Sequence, residues 1–569
     1  MVERIMNPVN ILNELHNFAL EFLKQFPYDP GSPNRIYFSI GEAIAAIVIF
    51  LAFTQFTRPI VRFRLATGFF KQTTAYILFL IAILLVFLAA ILPFIPGKPK
   101  PVWGYPVLWE IIAGLLFSFG TLFFLWRISR KAKLNRYNYK NYLQGCLSLI
   151  ARGNDSDLSE LAEEISYSIK EVVKTCKKFN RDKQYFAKQE GKQYEISEYT
   201  RYALTLLDTW SDEKFCQLIV CHVPQTAIRF FHEVNEQELY NSGGYAFVNQ
   251  LVRQAFTNKS SMLHREDEFY GLGHFKTFTK SFFGNYALVE SHFRPFQAWD
   301  YWREENLEPW KVNKYAKVLC IALEAYFRDP NSFYNYPAAI FSAFDTFKSI
   351  AMSQSIKLDK LPSEEYGSPP FKNLSEVKHG LQEALKLLMK HEKDLPQYEL
   401  SEEKYDKFED FSIYGIVAGA IFEYLENLSM VRTQDEAVRM LAIDLWLDIY
   451  PVSKRLESKG IIEVQRRLNL HLLKIVEENL THFFYPAITR LLINIMGLYK
   501  EAEGTEERGE ILLRNNFFAL LKKYFENATK QNPQKARNLL PKDVRYDQDA
   551  GQLIQEGDFR DKRTMNLRE

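Results

Sequence analysis

Residues Gln72 to Gly97, QTTAYILFLIAILLVFLAAILPFIPG, run for 26 positions without a charged side chain. A helix needs about 20 predominantly apolar residues to cross the hydrocarbon core of a bilayer. A water-soluble domain would have to bury every face of such a helix. Two flanking runs share this character. IYFSIGEAIAAIVIFLAFTQFT (Ile36 to Thr57) carries one acid, Glu42, and VLWEIIAGLLFSFGTLFFLW (Val107 to Trp126) carries one acid, Glu110. Three transmembrane helices over 35–134 are the simplest expectation, with the lipid bilayer as partner.

Charge at the flanks orients these spans. Arg58, Arg62, Arg64 and Lys71 lie between the first and second with no acid among them. Arg127, Arg130, Lys131, Lys133, Arg136 and Lys140 follow the third, again without an acid, whereas the other connection offers only Lys98 and Lys100. Basic loops resist translocation and stay inside. The expected topology is multi-pass, N-terminus outside and C-terminal region cytoplasmic, in a cell membrane of the bacterial inner-membrane kind. Trp103, Tyr105 and Trp109 cluster where an outer aromatic belt would form. No cleavable signal peptide is read at the start. Residues 1–34 are expected to form an outer amphipathic segment, with Ile11, Leu15, Phe18 and Phe22 on one helical face and the turn residues YDPGSP closing it.

Beyond Asn135 the apolar period is helical, which makes the fold mainly α: three N-terminal transmembrane helices followed by a large α-helical cytoplasmic region. Leu158, Leu161, Ile165, Ile169, Val172 and Cys176 step by three and four, and Asp157 with Glu160 reads as a capped start. Leu374, Val377, Leu381, Ala384 and Leu388 repeat the pattern too briefly for a coiled coil. No alternating strands and no fixed repeat are read. The proline-bearing stretch LDKLPSEEYGSPPFKN (Leu358 to Asn373) is expected to divide an aromatic-rich domain over 135–357 from a second helical domain over 374–530. Apolar content falls after that, so 531–569 is expected to be a loose tail or partner-binding segment.

Composition narrows the classes. Lys+Arg is 71 and Asp+Glu is 69, so the chain lacks the basic excess of a nucleic-acid binder. Five cysteines without CxxC spacing argue against a disulfide framework and a structural zinc site, and Cys216 and Cys221 read as buried thiols. Phosphate-loop, dinucleotide, nucleophile-elbow and HExxH signatures are missing, so no cofactor and no metal are expected. Gly415 and Gly419 have GxxxG spacing, read as permitting close helix packing. His222-Val-Pro reads as a helix end.

The most reactive-looking stretch is HREDEFYGLGHF, His264 to Phe275. Carboxylate beside imidazole suits a metal or an acid–base pair. His264, Glu266, Asp267, Glu268 and His274, with His292, are therefore the candidate catalytic residues. The plainer reading is a solvated polar connection between two helices, and it is preferred because charge clusters in loops are usually solvated. Glu42 and Glu110 are the candidate intramembrane polar pair, since acids within spans commonly face a cavity or a partner. Together these features predict a non-enzymatic membrane protein whose cytoplasmic region acts as a sensor, scaffold or signalling module, with a protein partner or homo-oligomer. An oligomeric effector or channel and a membrane-tethered hydrolase are the alternatives.

Overall fold

The computed structural model describes residues 58–68, 72–92, 106–179, 181–191, 195–239, 244–268, 277–291, 296, 307–329, 336–362, 366–391, 412–432, 435–450, 458–482, 486–498, 509–556 and 562–567, with isolated positions before residue 50. The first expected span, the outer segment and Trp103 with Tyr105 fall largely or wholly outside these residues. The protein is mainly α-helical. Its contacts form two compact units, Met1–Glu233 with Ser242–Gly244, and Val234–Asn241 with Tyr245–Glu569.

The first unit starts with α1 (Pro59–Ala66), α2 (Gln72–Ile91) and α3 (Pro106–Ser129). Among the described residues one helix, Pro106–Ser129, is long and apolar enough to cross a membrane, and Ile77–Ile91 is a shorter apolar helix. α2 and α3 pack along each other through Phe79, Ala82, Val86, Ala113, Phe117 and Phe124. Gly120 makes the close approach possible, because a Cβ there would lie 3.0 Å from the Phe79 ring. The other faces leave Leu80, Leu84, Leu115, Phe119 and Leu122 exposed. A soluble amphipathic helix would place charged and polar residues on those faces instead.

Next come α4 (Tyr139–Arg152), α5 (Asp155–Ser166), α6 (Ile169–Cys176), α7 (Arg181–Gln189), α8 (Glu198–Trp210) and α9 (Glu213–His222). α10 (Pro224–Glu236) follows. All six apolar positions read at helical spacing from Leu158 to Cys176 are buried. The start of that run is corrected: the cap is Asn154, whose side chain accepts from Asp157 N, and not Asp157 itself. The run is also two helices, broken at Tyr167–Ser168, where the Ser168 hydroxyl accepts from Leu134 N at 2.9 Å. α1 packs on α3, α4 and α5.

The second unit holds α11 (Tyr245–Thr257), α12 (Met262–Glu268), α13 (Thr277–Phe283) and α14 (Tyr286–Glu290). Longer helices follow: α15 (Pro309–Arg328), α16 (Ala338–Asp359), α17 (Pro369–Lys390), α18 (Ile413–Ser429) and α19 (Asp435–Ile449). The helices end with α20 (Lys459–His482), α21 (Pro486–Met496), α22 (Gly509–Gln531) and α23 (Pro533–Asn538). The proline-bearing stretch 358–373 lies inside this unit, between α16 and α17, which pack on each other and on α15.

The last segment departs from the expectation of a loose tail without strands. β1 (Val544–Asp547), β2 (Gln552–Glu556) and β3 (Lys562–Asn566) form an antiparallel sheet in the order β1-β2-β3. Val544 pairs with Gln555 and Leu553 with Met565. Val544, Leu553, Ile554, Met565 and Leu567 are buried, and Gln555 accepts from Leu498 N at 2.9 Å. Three short strands suffice because the face that carries Val544, Leu553 and Met565 is covered in this way.

Candidate functional site

Three places concentrate chemistry. The first is a buried carboxylate in the first unit. Glu164 on α5 is fully buried, and both its oxygens accept from Arg64: Nε lies 3.1 Å from Oε1 and Nη2 lies 2.8 Å from Oε2. Lys131 Nζ lies 3.6 Å from Oε2, and the backbone N–H of Ala132 donates to Oε1. Arg64 Nη1 donates to the Ile128 carbonyl at 2.9 Å. One carboxylate therefore joins α1, the end of α3 and α5. Asn138 reinforces the joint by donating to the carbonyls of Thr67, at 2.7 Å, and Lys133, at 2.9 Å. The Phe63 ring meets the Tyr142 ring at 5.1 Å.

The second is the HREDEF stretch. Glu266 is buried in α12 and accepts from Thr279 N at 3.1 Å, Thr279 Oγ1 at 2.7 Å and Phe278 N. Its carboxylate thus caps the free N–H groups at the start of α13 from a different helix. Burial raises its pKa, against those hydrogen bonds and the Lys314 charge, which lower it. His264 is half-buried, contacts the Phe256 carbonyl through Nε2 at 3.1 Å and meets the Trp310 ring edge-on at 4.6 Å. The side chains of Asp267 and Glu268, and His274 and His292 entirely, lie outside the described residues. Among the described residues no group of three His, Cys, Asp or Glu is placed to hold a metal ion. Of the two acids expected within spans, Glu110 is half-buried on α3 and Glu42 lies at an exposed helical position.

The third was not read from the sequence. In the second unit α18 and α20 form the floor of an open trough of about 960 Å³, with α16 and α22 as its walls. Phe341, Phe344, Ile416, Leu470, Leu473 and Leu520 supply its apolar lining. Gly415 and Gly419 face it, and a Cβ at Gly419 would meet nothing within 4 Å. At Gly419 the GxxxG spacing leaves a surface open. The α20–α22 side carries Arg467, whose Nη1 bonds Glu463 at 2.6 Å, with His471, Lys474 and Lys523 against Glu477. The α16–α18 side carries Asp345 and Glu423 against Lys348, whose Nζ bonds Glu423 at 2.6 Å. The two glycines were the only local signal, because the trough is assembled from helices spread over some 180 positions.

These sites define a helical protein with an apolar hairpin, a charged joint beneath it and an open trough in a separate unit. Compared with known proteins, the chain matches no family model and no curated sequence.

Proposed function

We propose that the protein is a membrane-anchored sensor or scaffold with three spans, its N-terminus outside and its helical region in the cytoplasm binding a ligand or partner. The Glu164 joint carries this reading. The two basic segments that charge bias assigns to the same side, 58–71 and 127–140, are the segments that Glu164, Asn138 and Tyr142 tie to the helical region. A joint of charged and hydrogen-bonded groups fixes the hairpin to α4 and α5, so a change in one is felt by the other. The capping role of Glu266 favours the non-enzymatic reading over a hydrolase, since that carboxylate is already committed to α13.

Single cysteines test the topology in a background without the native five. One replaces Ser32 and the other replaces Tyr137, whose side chain is 87% exposed. In intact cells a membrane-impermeant thiol reagent should label position 32 and spare 137, with both labelled after lysis. Labelling of 137 in intact cells overturns the orientation and the cytoplasmic role with it.

A further inference from the structure

Isolated helices shorter than about 12–15 residues are marginal in water, so a short helix normally rests an apolar face on a neighbour. α7, Arg181–Gln189, does not. Among its described side chains Ala187 is half-buried and all the others are exposed. Tyr185 and Phe186 keep 60% and 58% of their surface in water, with their rings edge to face at 5.9 Å. The charge around them is mostly of one sign. From Lys170 to Glu195 the chain holds eight lysines and arginines against Glu171, Asp182, Glu190 and Glu195, whereas the whole chain holds 71 against 69. Pairing within this segment removes a cation and an acid together and leaves the excess unchanged. Glu198, the next acid along, is held by Lys140 Nζ at 2.9 Å and accepts from Tyr139 Oη at 2.8 Å.

That last contact places the surface. α8, which begins at Glu198, packs on α4 and α6, and the Tyr139 ring meets those of Tyr199 and Tyr202 at 5.7 and 4.8 Å. On either side of Tyr139 and Lys140, Asn138 and Asn141 donate to the carbonyls of Thr67 and Ala66. The chain leaving α7 is therefore tied to both basic segments, 58–71 and 127–140. The nine residues from Gln189 to Glu198 reach at most about 30 Å. One unit thus combines a helix long and apolar enough to cross a membrane, a basic layer at its end and a basic helix with two exposed rings. Lysines attract anionic headgroups and rings enter the interface. Single-stranded nucleic acid also suits lysines and rings, but only a bilayer is brought to α7 by the anchor itself, at high effective concentration.

We propose that α7 lies on the anionic surface of the bilayer that holds the hairpin, with Tyr185 and Phe186 in the interface and Lys177, Lys178 and Lys188 on lipid phosphates. The proposal rests on the membrane-anchored reading and not on its orientation.

The test uses the full chain with Cys320→Ser and Gln184→Cys, since the other four native thiols are buried and Gln184 is exposed. A solvatochromic dye is attached at position 184. The chain is placed in nanodiscs of phosphatidylcholine, or of equal parts phosphatidylcholine and phosphatidylglycerol, with and without a nitroxide on the acyl chains. In anionic discs the emission should shift to the blue, and the nitroxide should quench it at least threefold more than in neutral discs. Lys177→Gln/Lys178→Gln/Lys188→Gln should return quenching to the neutral-disc level with unchanged melting, as should about 0.5 M salt. Tyr185→Ser/Phe186→Ser should abolish it. Equal quenching in both kinds of disc, or quenching that survives both variants, overturns the proposal. So does a blue shift with polyuridylate in neutral discs as large as that in anionic discs, which would make α7 a nucleic-acid surface. A chain that enters neither disc overturns the anchored reading and this proposal with it. Reversed orientation in cells leaves the result unchanged, because a disc has no inside.

Discussion

Arg64 and Glu164, separated by 100 positions in the chain, form a two-pronged ion pair whose carboxylate is fully buried, with Nη2 2.8 Å from Oε2. A forked guanidinium matches both oxygens of a carboxylate, which lysine cannot do. Lys131 and the Ala132 N–H complete the surroundings of that carboxylate, so its charge is compensated from both basic segments.

Removing one partner of a buried pair leaves the other uncompensated, at a cost of about 3–5 kcal/mol. Arg64→Ala and Glu164→Ala should each lower the melting temperature of the detergent-solubilised protein. Their combination should cost less than the sum, because the second substitution removes a charge already stranded. Arg64→Lys should recover only part of the loss. A strictly additive double variant would mean the two side chains stabilise the fold independently.

Glu266 is the second carboxylate with a defined task. Its three accepted hydrogen bonds hold the start of α13, so Glu266→Ala should cost about 1–3 kcal/mol, more than an ordinary surface change. The pH dependence has a definite sign. Burial raises the folded pKa above its ordinary value of 4.5, so the folded state binds this proton more readily than the unfolded state. The contribution is present in full at acid pH and is lost as pH rises through the raised folded pKa. The melting advantage of wild type over Glu266→Gln should therefore grow as pH falls from 7 toward 4.5. An advantage that shrinks on acidification would contradict the assigned direction.

Much of the helical architecture was legible because a helix declares itself locally. Leu158, Leu161 and Ile165 carry their period within one helix, and their burial follows from it. The apolar run at Gln72 needed no partner to be read. Three things were not legible, and each depends on distant partners. Glu164 looks like any acid in ELAEEIS until Arg64 is brought to it. Glu266 looks catalytic until α13 arrives with free N–H groups. The trough exists only once α16, α18, α20 and α22 are side by side. The sheet was missed for another reason: its strands span only four or five residues, too short for alternation to stand out from a polar tail.

The cysteines give a prediction that needs no variant. Cys146, Cys176, Cys216 and Cys221 are buried, and burial pushes the Cys146 thiol up to about 12 and raises those of Cys176 and Cys216. Reactivity follows the thiolate fraction and access. Titration with an aromatic disulfide reagent at pH 8 should modify these four at a negligible rate in the folded protein, and all five thiols should react after denaturation. Rapid modification of more than one thiol before unfolding would show that the first unit opens locally.

Glu42 and Glu110 remain the test of what the spans themselves do. Glu42 lies 16 residues before Arg58 and Glu110 lies 17 before Arg127. On the proposed topology, helices with a rise of about 1.5 Å per residue would put both carboxylates roughly 25 Å above the inner basic flank, close to the outer edge of a hydrocarbon core about 30 Å thick. Two acids facing each other at that depth would disfavour a second charge, whereas two acids in the headgroup layer would each be solvated. The headgroup arrangement is the plainer expectation for an acid so near the end of a span. Cysteines at positions 42 and 110, in a background without the native five, should then both react with a charged impermeant reagent from outside. Copper-catalysed oxidation should give no more cross-link between them than between cysteines at 42 and 115. Protection of both from the reagent, with efficient cross-linking, would place the pair inside the bundle and make it a proton- or cation-responsive element.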